Sequence, residues 1–301
     1  MGKILITGAS GIVGTKLSEL LFNSGYKINV LSRNPQKSKH YNSFRWDIEN
    51  EFIDELAFDG IDGIIHLAGE NIGEGFWTAE KMKRIIDSRV NSAKLLYSYI
   101  SKLEIKLRFF VSASAIGYYD SYYDDSPIFS EESKAGSNFT SKVCTLWEAT
   151  AELFKSDSTR VVKIRTGLVQ DKSDPALKKM LLSAKFGVLP IMGTGKQYYS
   201  WIHIFDLCQV YKFAVENVNC LDVVNAVAPE IITNKEYVKT LKQYISKPCI
   251  IVKLPVWFLK IAFGKKSEIL YKGAIVKSLL HDNRTFKFKY PRVEDAFKQL
   301  L

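Results

Sequence analysis

Short apolar runs alternate with helical stretches along the first 170 residues. Runs typical of buried strands occupy residues 3–7, 27–32, 61–67, 107–111 and 161–164. Apolar residues recur at helical spacing in residues 12–23, 78–103 and 141–155. This alternation predicts an α/β fold, in which a doubly wound parallel sheet is covered by helices on both faces.

The pattern changes after about residue 170, where helical spacing dominates. Residues 223–226 are expected to return one strand to the sheet. We therefore expect a first domain over 1–169, with a returning strand near 200–230, and a smaller, mainly helical C-terminal substrate lobe over 170–200 and 235–301. The helices predicted in this second part are 175–186, 234–245, 256–263, 267–279 and 293–301.

Composition narrows the protein class. The 301 residues are 47% hydrophobic and 25% charged, which is typical of an ordinary globular protein. Neither an apolar segment of membrane-spanning length nor a secretory signal is visible, so a cytoplasmic location is expected. The four cysteines are widely spaced, and this spacing favours neither a metal site nor a disulfide scaffold.

The net charge of +10 lies in one part of the chain. Residues 1–234 hold 27 basic and 27 acidic side chains, whereas residues 235–301 hold 15 and 5. Solvated lysines are the simplest interpretation, and a phosphorylated substrate, RNA or an acidic partner stay as alternatives. The aromatic residues among these lysines, Trp257, Phe258 and Phe263, have the helical spacing of a core face. We therefore expect no nucleic-acid partner, and the lack of an apolar segment of membrane-spanning length predicts no membrane partner.

Residues 7–14 read TGASGIVG and stand between the first predicted strand and the first predicted helix. Gly8 permits a tight turn, Gly11 lets the backbone approach a phosphate, and Gly14 brings helix and strand close. Free N–H groups at the helix start favour an anion. The segment therefore predicts a Rossmann dinucleotide-binding unit, and its pyrophosphate contacts are expected at Gly8, Ser10, Gly11, Ile12, Val13 and Gly14.

The end of the second strand indicates which dinucleotide is bound. An acidic residue about 20 positions beyond the glycines would bind the ribose of NAD, whereas an arginine accepts the 2′-phosphate of NADP. This chain has Ser32 and Arg33 there. Guanidinium groups bind phosphate through charge-assisted, bidentate hydrogen bonds, so the sequence predicts NADP(H) as cofactor. A solvated Arg33, with an acidic group elsewhere selecting NAD, is the alternative.

Several further stretches carry a resemblance to a known family. The chain resembles the extended short-chain dehydrogenase/reductases, and within them the bacterial epimerase-family branch that has an atypical, NADP-binding mammalian relative. The similar stretches span nearly the whole chain in order. They are 67–72, 77–78, 88–90, 112–119, 147–148, 165–167, 200–203 with Asp206, Asn225 with 228–229, and 288–291.

The resemblance implies further cofactor contacts. Leu67 and Ala68 would flank the cofactor at the end of the fourth strand, and Asp47 would be the neighbour of the adenine. Arg89 would reach the cofactor from a helix, and Val169 would lie beside the nicotinamide. Core packing remains the alternative for Leu67 and Ala68, and a surface charge remains the alternative for Arg89.

The resemblance also implies an acid–base pair that this chain lacks. Typical members use Tyr-x-x-x-Lys with a serine, and Ser114 matches the serine. Aligned through Trp147 and Glu148, the tyrosine and lysine positions hold Thr140 and Cys144. None of the fifteen tyrosines is followed four residues later by lysine.

Other groups are candidates for the missing proton transfer. Tyr118 lies in the same strand-end segment as Ser114, and Glu70 and Cys144 could exchange protons there. A packing role for Tyr118 and an inert buried thiol for Cys144 are the alternatives. We take Ser114 and Tyr118 as the candidate catalytic residues.

Two functions follow from this sequence. The first is an NADP(H)-binding oxidoreductase or epimerase-like enzyme that acts on a small polar substrate, for example a nucleotide sugar. The second is a weakly catalytic or non-catalytic NADP(H)-binding sensor or scaffold, which the missing Tyr-x-x-x-Lys favours. The substrate and the oligomeric state are left open, and a homodimer is compatible with either function.

Overall fold

The structure is a computed structural model that describes residues 2–282 and 286–301. The strands of this part are β1 (Lys3–Thr7), β2 (Lys27–Ser32), β3 (Asn42–Asp47), β4 (Phe52–Ile53), β5 (Gly63–His66), β6 (Phe109–Ala115), β7 (Ile128–Phe129), β8 (Arg160–Thr166), β9 (Leu168–Gln170), β10 (Val188–Met192), β11 (Tyr198–Tyr199), β12 (Trp201–His203), β13 (Val223–Ala226), β14 (Ile232–Thr233), β15 (Ile250–Leu254) and β16 (Ile275–Val276). The helices are α1 (Ile12–Asn23), α2 (Ala79–Lys102), α3 (Phe139–Ala151), α4 (Pro175–Lys185), α5 (Ile204–Glu216), α6 (Asn234–Gln243), α7 (Val256–Phe263), α8 (Glu268–Tyr271) and α9 (Val293–Leu300).

The central sheet has the strand order β13-β8-β6-β5-β1-β2-β3-β4. All neighbouring strands in it are parallel except β3 and β4 at one edge. From β1 the chain first adds β2 and β3 on one side, and then β5, β6, β8 and β13 on the other. The order therefore reverses between β1 and β5, which is where doubly wound folds bind ligands. The predicted fold class is confirmed.

The sheet is covered on both faces, as expected for parallel strands. Along β1 the buried side chains alternate, because Ile4 and Ile6 belong to one apolar cluster and Leu5 belongs to another. The first cluster packs under α1 and α5, and the second packs under α2. Ile4, Leu5 and Ile6 are all fully buried, which fixes the level of the carboxyl end of β1 relative to both helical layers.

Several helices begin at residues that the sequence provides as caps. Thr78 accepts the Lys81 N–H at the start of α2, and Asp174 accepts the Leu177 N–H at the start of α4. At α6, Thr233 and Glu236 form a reciprocal capping box. These side chains satisfy backbone donors that a helix start leaves free.

A third apolar cluster lies in the later part of the chain. It joins α4, α6 and α9 around Trp201, Tyr237 and Phe297, and β10 pairs with β15 beside it.

The structure differs from the sequence expectations at two places in the second half of the chain. Helix α5 was not anticipated, and the helix expected over 267–279 ends at Tyr271, after which β16 pairs with β7. In the part of the chain described, no helix combines the length and apolarity needed to cross a bilayer.

Candidate functional site

The loop between β1 and α1 is built by its glycines. Gly8 has φ +71°, and a Cβ on it would lie 2.8 Å from the Leu67 carbonyl carbon. A Cβ on Gly14 would lie 2.3 Å from the Gly8 carbonyl oxygen. Both distances are too short for any side chain, so the sequence allows the loop and the first turn of α1 to approach β1 and β5 closely.

The start of α1 differs from the capped helix starts described above. Gly11 is its N-cap residue, and no side chain among residues 2–282 and 286–301 caps it. The Gly11 N–H itself donates to the Gly8 carbonyl at 3.1 Å, which closes the turn. The N–H groups of the first helical turn are therefore left for an external acceptor, and the helix dipole favours a negative one.

A cavity of about 450 Å³ opens in front of this loop, along the carboxyl ends of β1, β2, β3 and β5. Of the lining residues that the structure describes, Arg33 is the one cationic side chain and Glu70 is the one carboxylate. The predicted cofactor contacts that line this cavity are Gly8, Ser10, Gly11, Ser32, Arg33, Leu67 and Ala68.

Arg33 is presented by a tight turn after β2. The Ser32 hydroxyl donates to the Asn34 carbonyl at 3.0 Å and accepts the Asn34 N–H at 3.2 Å, so the turn is held by Ser32 itself. The Arg33 side chain is exposed at the cavity wall, which the half-buried Tyr41 and the buried Trp46 also line. The arrangement is suited to an adenosine that carries a phosphate.

Glu70 contributes little negative charge to the cavity. Its carboxylate is 2.6 Å from the Lys81 ammonium, and the hydrogen bond from Lys81 holds its pKa below the usual range. Glu70 is therefore ionised and paired near neutral pH. The proton exchange considered for it from sequence is not supported by this geometry.

Asp47 lies just outside the cavity. Its carboxylate accepts the N–H groups of Glu49 and Asn50 and the Asn50 side-chain amide, and the Asn50 side-chain bond lowers its pKa most. The next residue, Ile48, lines the cavity instead. Asp47 thus shapes the turn beside the expected adenine position.

A buried histidine that the sequence reasoning missed supports the cavity from below. His66 Nδ1 is 2.8 Å from the Thr7 hydroxyl, and Nε2 is 3.2 Å from the Ser92 hydroxyl. The same Thr7 hydroxyl accepts the N–H groups of Leu67 and Ala68 at 3.2 Å. Complete burial lowers the pKa of His66 to about 4, so the ring is neutral at physiological pH.

Arg89 is buried rather than a surface charge. It donates from Nη1 to the carbonyls of Glu70 and Ile85, and its guanidinium carbon lies 4.7 Å from the centre of the Trp147 ring. Its Nε has no hydrogen-bond partner within the described ranges, and burial lowers its pKa. Arg89 is not among the residues that line the cavity, and its role at the cofactor stays a prediction.

Ser114 belongs to a buried polar cluster further along the sheet. Its hydroxyl donates to Glu148 Oε1 at 2.7 Å, and Arg165 donates to both Glu148 oxygens at 2.8 Å. Burial lowers the pKa of Arg165, but the bonds and charge of Glu148 outweigh this effect and raise it overall. Ser114, Arg165 and Asn225 are register partners on β6, β8 and β13, so the sheet itself sets their spacing.

Tyr118 lies against this cluster, and its ring centre is 3.4 Å from the guanidinium carbon of Arg165. Arg165 also donates to the Tyr119 hydroxyl at 2.9 Å. In the sequence, Arg165 stands out only within the stretch 165–167 that carries the family resemblance. Arg165 is a charged residue near the end of a predicted buried strand, and this position indicates that it has a buried partner.

The positions that replace the usual acid–base pair are both occupied by weak candidates. Thr140 donates to Asn138 at the start of α3, and Cys144 donates weakly to the Ala115 carbonyl at 3.6 Å. Burial raises the pKa of the Cys144 thiol to about 12. Cys144 is therefore the inert buried thiol of the alternative interpretation. Val169 lies on β9 and packs against the first apolar cluster.

Comparisons with known proteins agree with this architecture. Residues 4–226 match the model of the NAD dependent epimerase/dehydratase family. The chain is 31% identical over 303 residues to the epimerase family protein YfhF of Bacillus subtilis, covering 99% of this chain and 97% of that protein. It is also 31% identical over 306 residues to human SDR39U1, covering 99% of each.

Two solved structures are similar over most or all of the chain. The crystal structure of human SDR39U1 isoform 2 with NADPH has a TM-score of 0.87 and 28% identity, covering 99% of this chain and 98% of that one. The nucleoside-diphosphate sugar epimerase of Corynebacterium glutamicum has a TM-score of 0.78 and 26% identity, covering all of this chain and 58% of that one. This chain belongs to the NAD dependent epimerase/dehydratase family, as its motifs had indicated.

Proposed function

We propose that this protein binds NADP(H) in the cavity at the carboxyl end of the sheet. The pyrophosphate lies over the uncapped start of α1, and the 2′-phosphate of the adenosine binds Arg33. One observation carries the proposal: among residues 2–282 and 286–301, Arg33 is the one cation lining a cavity that begins at uncapped helix N–H groups, and the cavity's carboxylate, Glu70, is already paired with Lys81. The human relative solved with NADPH supports the same cofactor.

A charge placed in the loop tests the pyrophosphate position. Ser10 is exposed and lines the cavity, so Ser10→Asp should fold normally and repel the pyrophosphate. We expect the affinities for NADPH and NADH to fall together by about tenfold or more. Ser10→Asn is the matched uncharged control, and its affinity should stay within about threefold of the unmodified protein. Unchanged NADPH affinity in Ser10→Asp would place the pyrophosphate elsewhere.

For the reaction, we propose chemistry on a small polar substrate, with a nucleotide sugar as the leading class. The nicotinamide would supply hydride transfer. Ser114 would accept a substrate hydroxyl at its oxygen, because its own proton goes to Glu148, and Tyr118 would offer the phenol beside the Arg165 guanidinium. Residues 170–200 and 235–301 would form the substrate lobe. The sugar epimerase of Corynebacterium glutamicum supports this substrate class.

The catalytic version predicts turnover that depends on Ser114. A panel of carbonyl compounds and nucleotide sugars, followed through NADPH absorbance and product analysis, should contain at least one substrate. Ser114→Ala should lower its rate at least about tenfold and leave the NADPH affinity unchanged. Equal rates in both proteins would remove Ser114 from the reaction.

A second candidate is a sensor or scaffold that binds the cofactor without catalysis. Thr140 and Cys144 favour it, because neither replaces the usual acid–base pair. This version predicts normal NADPH affinity, no turnover on the same panel, and a partner protein that distinguishes NADPH from NADP⁺. The four free, buried thiols are compatible with a cytoplasmic location for either version.

A further inference from the structure

Helix α7 turns an apolar face outward. Leu259 is its one fully buried side chain, whereas Trp257, Phe258 and Ile261 on the opposite side are 65%, 43% and 75% exposed. An ordinary surface helix shows the reverse pattern, with its apolar stripe on the core. The sequence expectation of a core face is therefore wrong for Trp257 and Phe258, whereas Phe263 is half-buried.

The same patch continues onto the loop after β5. Phe76 is 61% exposed, and a Cβ on Gly264 at the end of α7 would lie 3.8 Å from its ring. Lys266 donates to the carbonyls of Gly73 and Gly75, which fixes this loop against the end of α7. We call the surface made by Phe76, Trp257, Phe258 and Ile261 the α7 patch.

Basic residues surround the α7 patch. Residues 247–267 contain five lysines and no carboxylate, and Lys253, Lys260 and Lys265 are exposed. Of the carboxylates on the adjoining segments, Glu80 pairs with Arg84 and Glu268 pairs with Lys272. Glu74 accepts the neutral Asn71 amide and keeps its negative charge, but the lysines outnumber it. The rim of the patch therefore attracts a negatively charged surface.

We propose that the α7 patch docks this protein onto an anionic membrane surface, with α7 lying in the plane of the interface. Trp257, Phe258 and Ile261 enter the boundary between headgroups and acyl chains, and the lysines face anionic headgroups. This revises the expectation of no membrane partner, which rested on the lack of a spanning segment. Peripheral binding needs only one short apolar face with a basic rim.

The charges and side chains of the α7 patch favour an anionic membrane over other occupants. In a two-fold dimer the patch would face itself, and the lysines of one copy would meet those of the other. A single-stranded nucleic acid would use aromatic rings for stacking, but the most exposed member of the patch is the aliphatic Ile261. An anionic bilayer matches both the aliphatic side chain and the rim.

Vesicle sedimentation with the purified full-length chain tests this inference. Vesicles of phosphatidylcholine with about 30% phosphatidylserine should bind the protein, whereas pure phosphatidylcholine should bind much less. The double variant Trp257→Ser/Ile261→Ser should lower the bound fraction by about tenfold or more. Lys260→Glu/Lys265→Glu should remove the preference for phosphatidylserine. The matched control Phe52→Ser/Leu56→Ser changes exposed apolar residues at the β4 edge and should bind like the unmodified protein.

Each variant is compared for melting temperature and NADPH affinity, so that loss of folding is separated from loss of docking. Three outcomes would overturn the inference. These are no binding to phosphatidylserine vesicles, equal loss in the control variant, or a dimer in light scattering that only the α7 variants dissociate. Displacement of the bound protein by a single-stranded oligonucleotide at equal charge concentration would favour a nucleic acid instead.

Discussion

The neutral imidazole of His66 links three segments of the chain. Its ring bonds Thr7 on β1 and Ser92 on α2, and Thr7 bonds the residues that follow β5. The Ser92 hydroxyl donates to the Ser88 carbonyl at 2.6 Å, so we infer that it accepts its bond to the ring from Nε2–H. Nδ1 then accepts the Thr7 hydroxyl proton, which leaves the Thr7 oxygen to accept the N–H groups of Leu67 and Ala68. One imidazole tautomer thus holds the segment that the cofactor is proposed to contact.

Protonation of His66 should destabilise the fold in acid. Its folded pKa of about 4 lies below the unfolded value of about 6.5, so the unfolded chain takes up a proton first. The free energy of unfolding should therefore lose up to about 3 kcal/mol as the pH falls from 6.5 to 4, with no contribution above 6.5. Urea unfolding at several pH values measures it. His66→Gln should flatten that slope, and an unchanged slope would contradict the assignment.

The thiol of Cys144 should be unreactive in the native protein. Its pKa is about 12, and the other three cysteines are buried as well. We expect iodoacetamide at pH 8 to modify none of the four cysteines until the chain is unfolded, when all four should react. Peptide mass spectrometry reads this directly. Rapid native labelling of Cys144 would reopen its catalytic candidacy.

The carboxylate of Glu148 on α3 joins the ends of two strands. Glu148 accepts Ser114 from β6 and both donors of the Arg165 fork from β8. Arg165 in turn bonds Tyr119, whose hydroxyl is 2.8 Å from Asn225 on β13. The cluster therefore fixes α3 relative to the side of the sheet where the candidate catalytic residues lie.

Removing the charge of Glu148 should be costly, because Arg165 would keep a buried and uncompensated charge. We expect Glu148→Gln to lower the free energy of unfolding by about 3 kcal/mol or more. The control Glu80→Gln breaks an exposed i,i+4 pair with Arg84 and should cost less than about 0.5 kcal/mol. Chemical denaturation of both variants checks this, and equal small losses would mean that the cluster is not structurally important.

Local apolar spacing predicted most helices of the described residues and missed one. Helices α1, α2, α6 and α7 were expected within a few residues of their ends, whereas α5 was missed. Helix α5 packs against the sheet beside α1, and its sequence does carry an apolar stripe at helical spacing that the predicted elements left out: Ile204, Leu207, Cys208, Tyr211, Ala214 and Val215. The helix expected over 267–279 ends early because Gly273 lies against Tyr198. A Cβ on Gly273 would lie 2.0 Å from the Tyr198 carbonyl oxygen.

The residues of the candidate site also fall into two groups, those that local sequence patterns indicated and those that they did not. The glycine loop and Arg33 are local in sequence, so spacing alone located them. His66 and the partners of Glu148 depend on which strands are neighbours and on their register, which no local pattern gives. A polar residue inside an apolar strand, such as His66 after Ile65, was the available signal that a buried partner exists.

For the whole molecule, the substrate lobe proposed for 170–200 and 235–301 is tied to the sheet domain. The third apolar cluster includes Trp201 at the start of β12 and Ala228 just after β13, so it shares chain segments with the sheet domain. We expect the described parts to unfold together. Far-ultraviolet circular dichroism and tryptophan fluorescence should give one coincident thermal transition, and two separated transitions would show an independent lobe.

In the proposed function, Arg33 binds the 2′-phosphate of NADP(H) at this cavity. Calorimetric titration of the unmodified protein and of Arg33→Ala with NADPH and NADH tests it most directly, with Arg108→Ala at a remote exposed position as control. We predict that the unmodified protein binds NADPH more tightly than NADH, and that Arg33→Ala weakens NADPH alone by about 10- to 100-fold. Tighter binding of NADH, or an unchanged NADPH affinity in Arg33→Ala, would contradict the account.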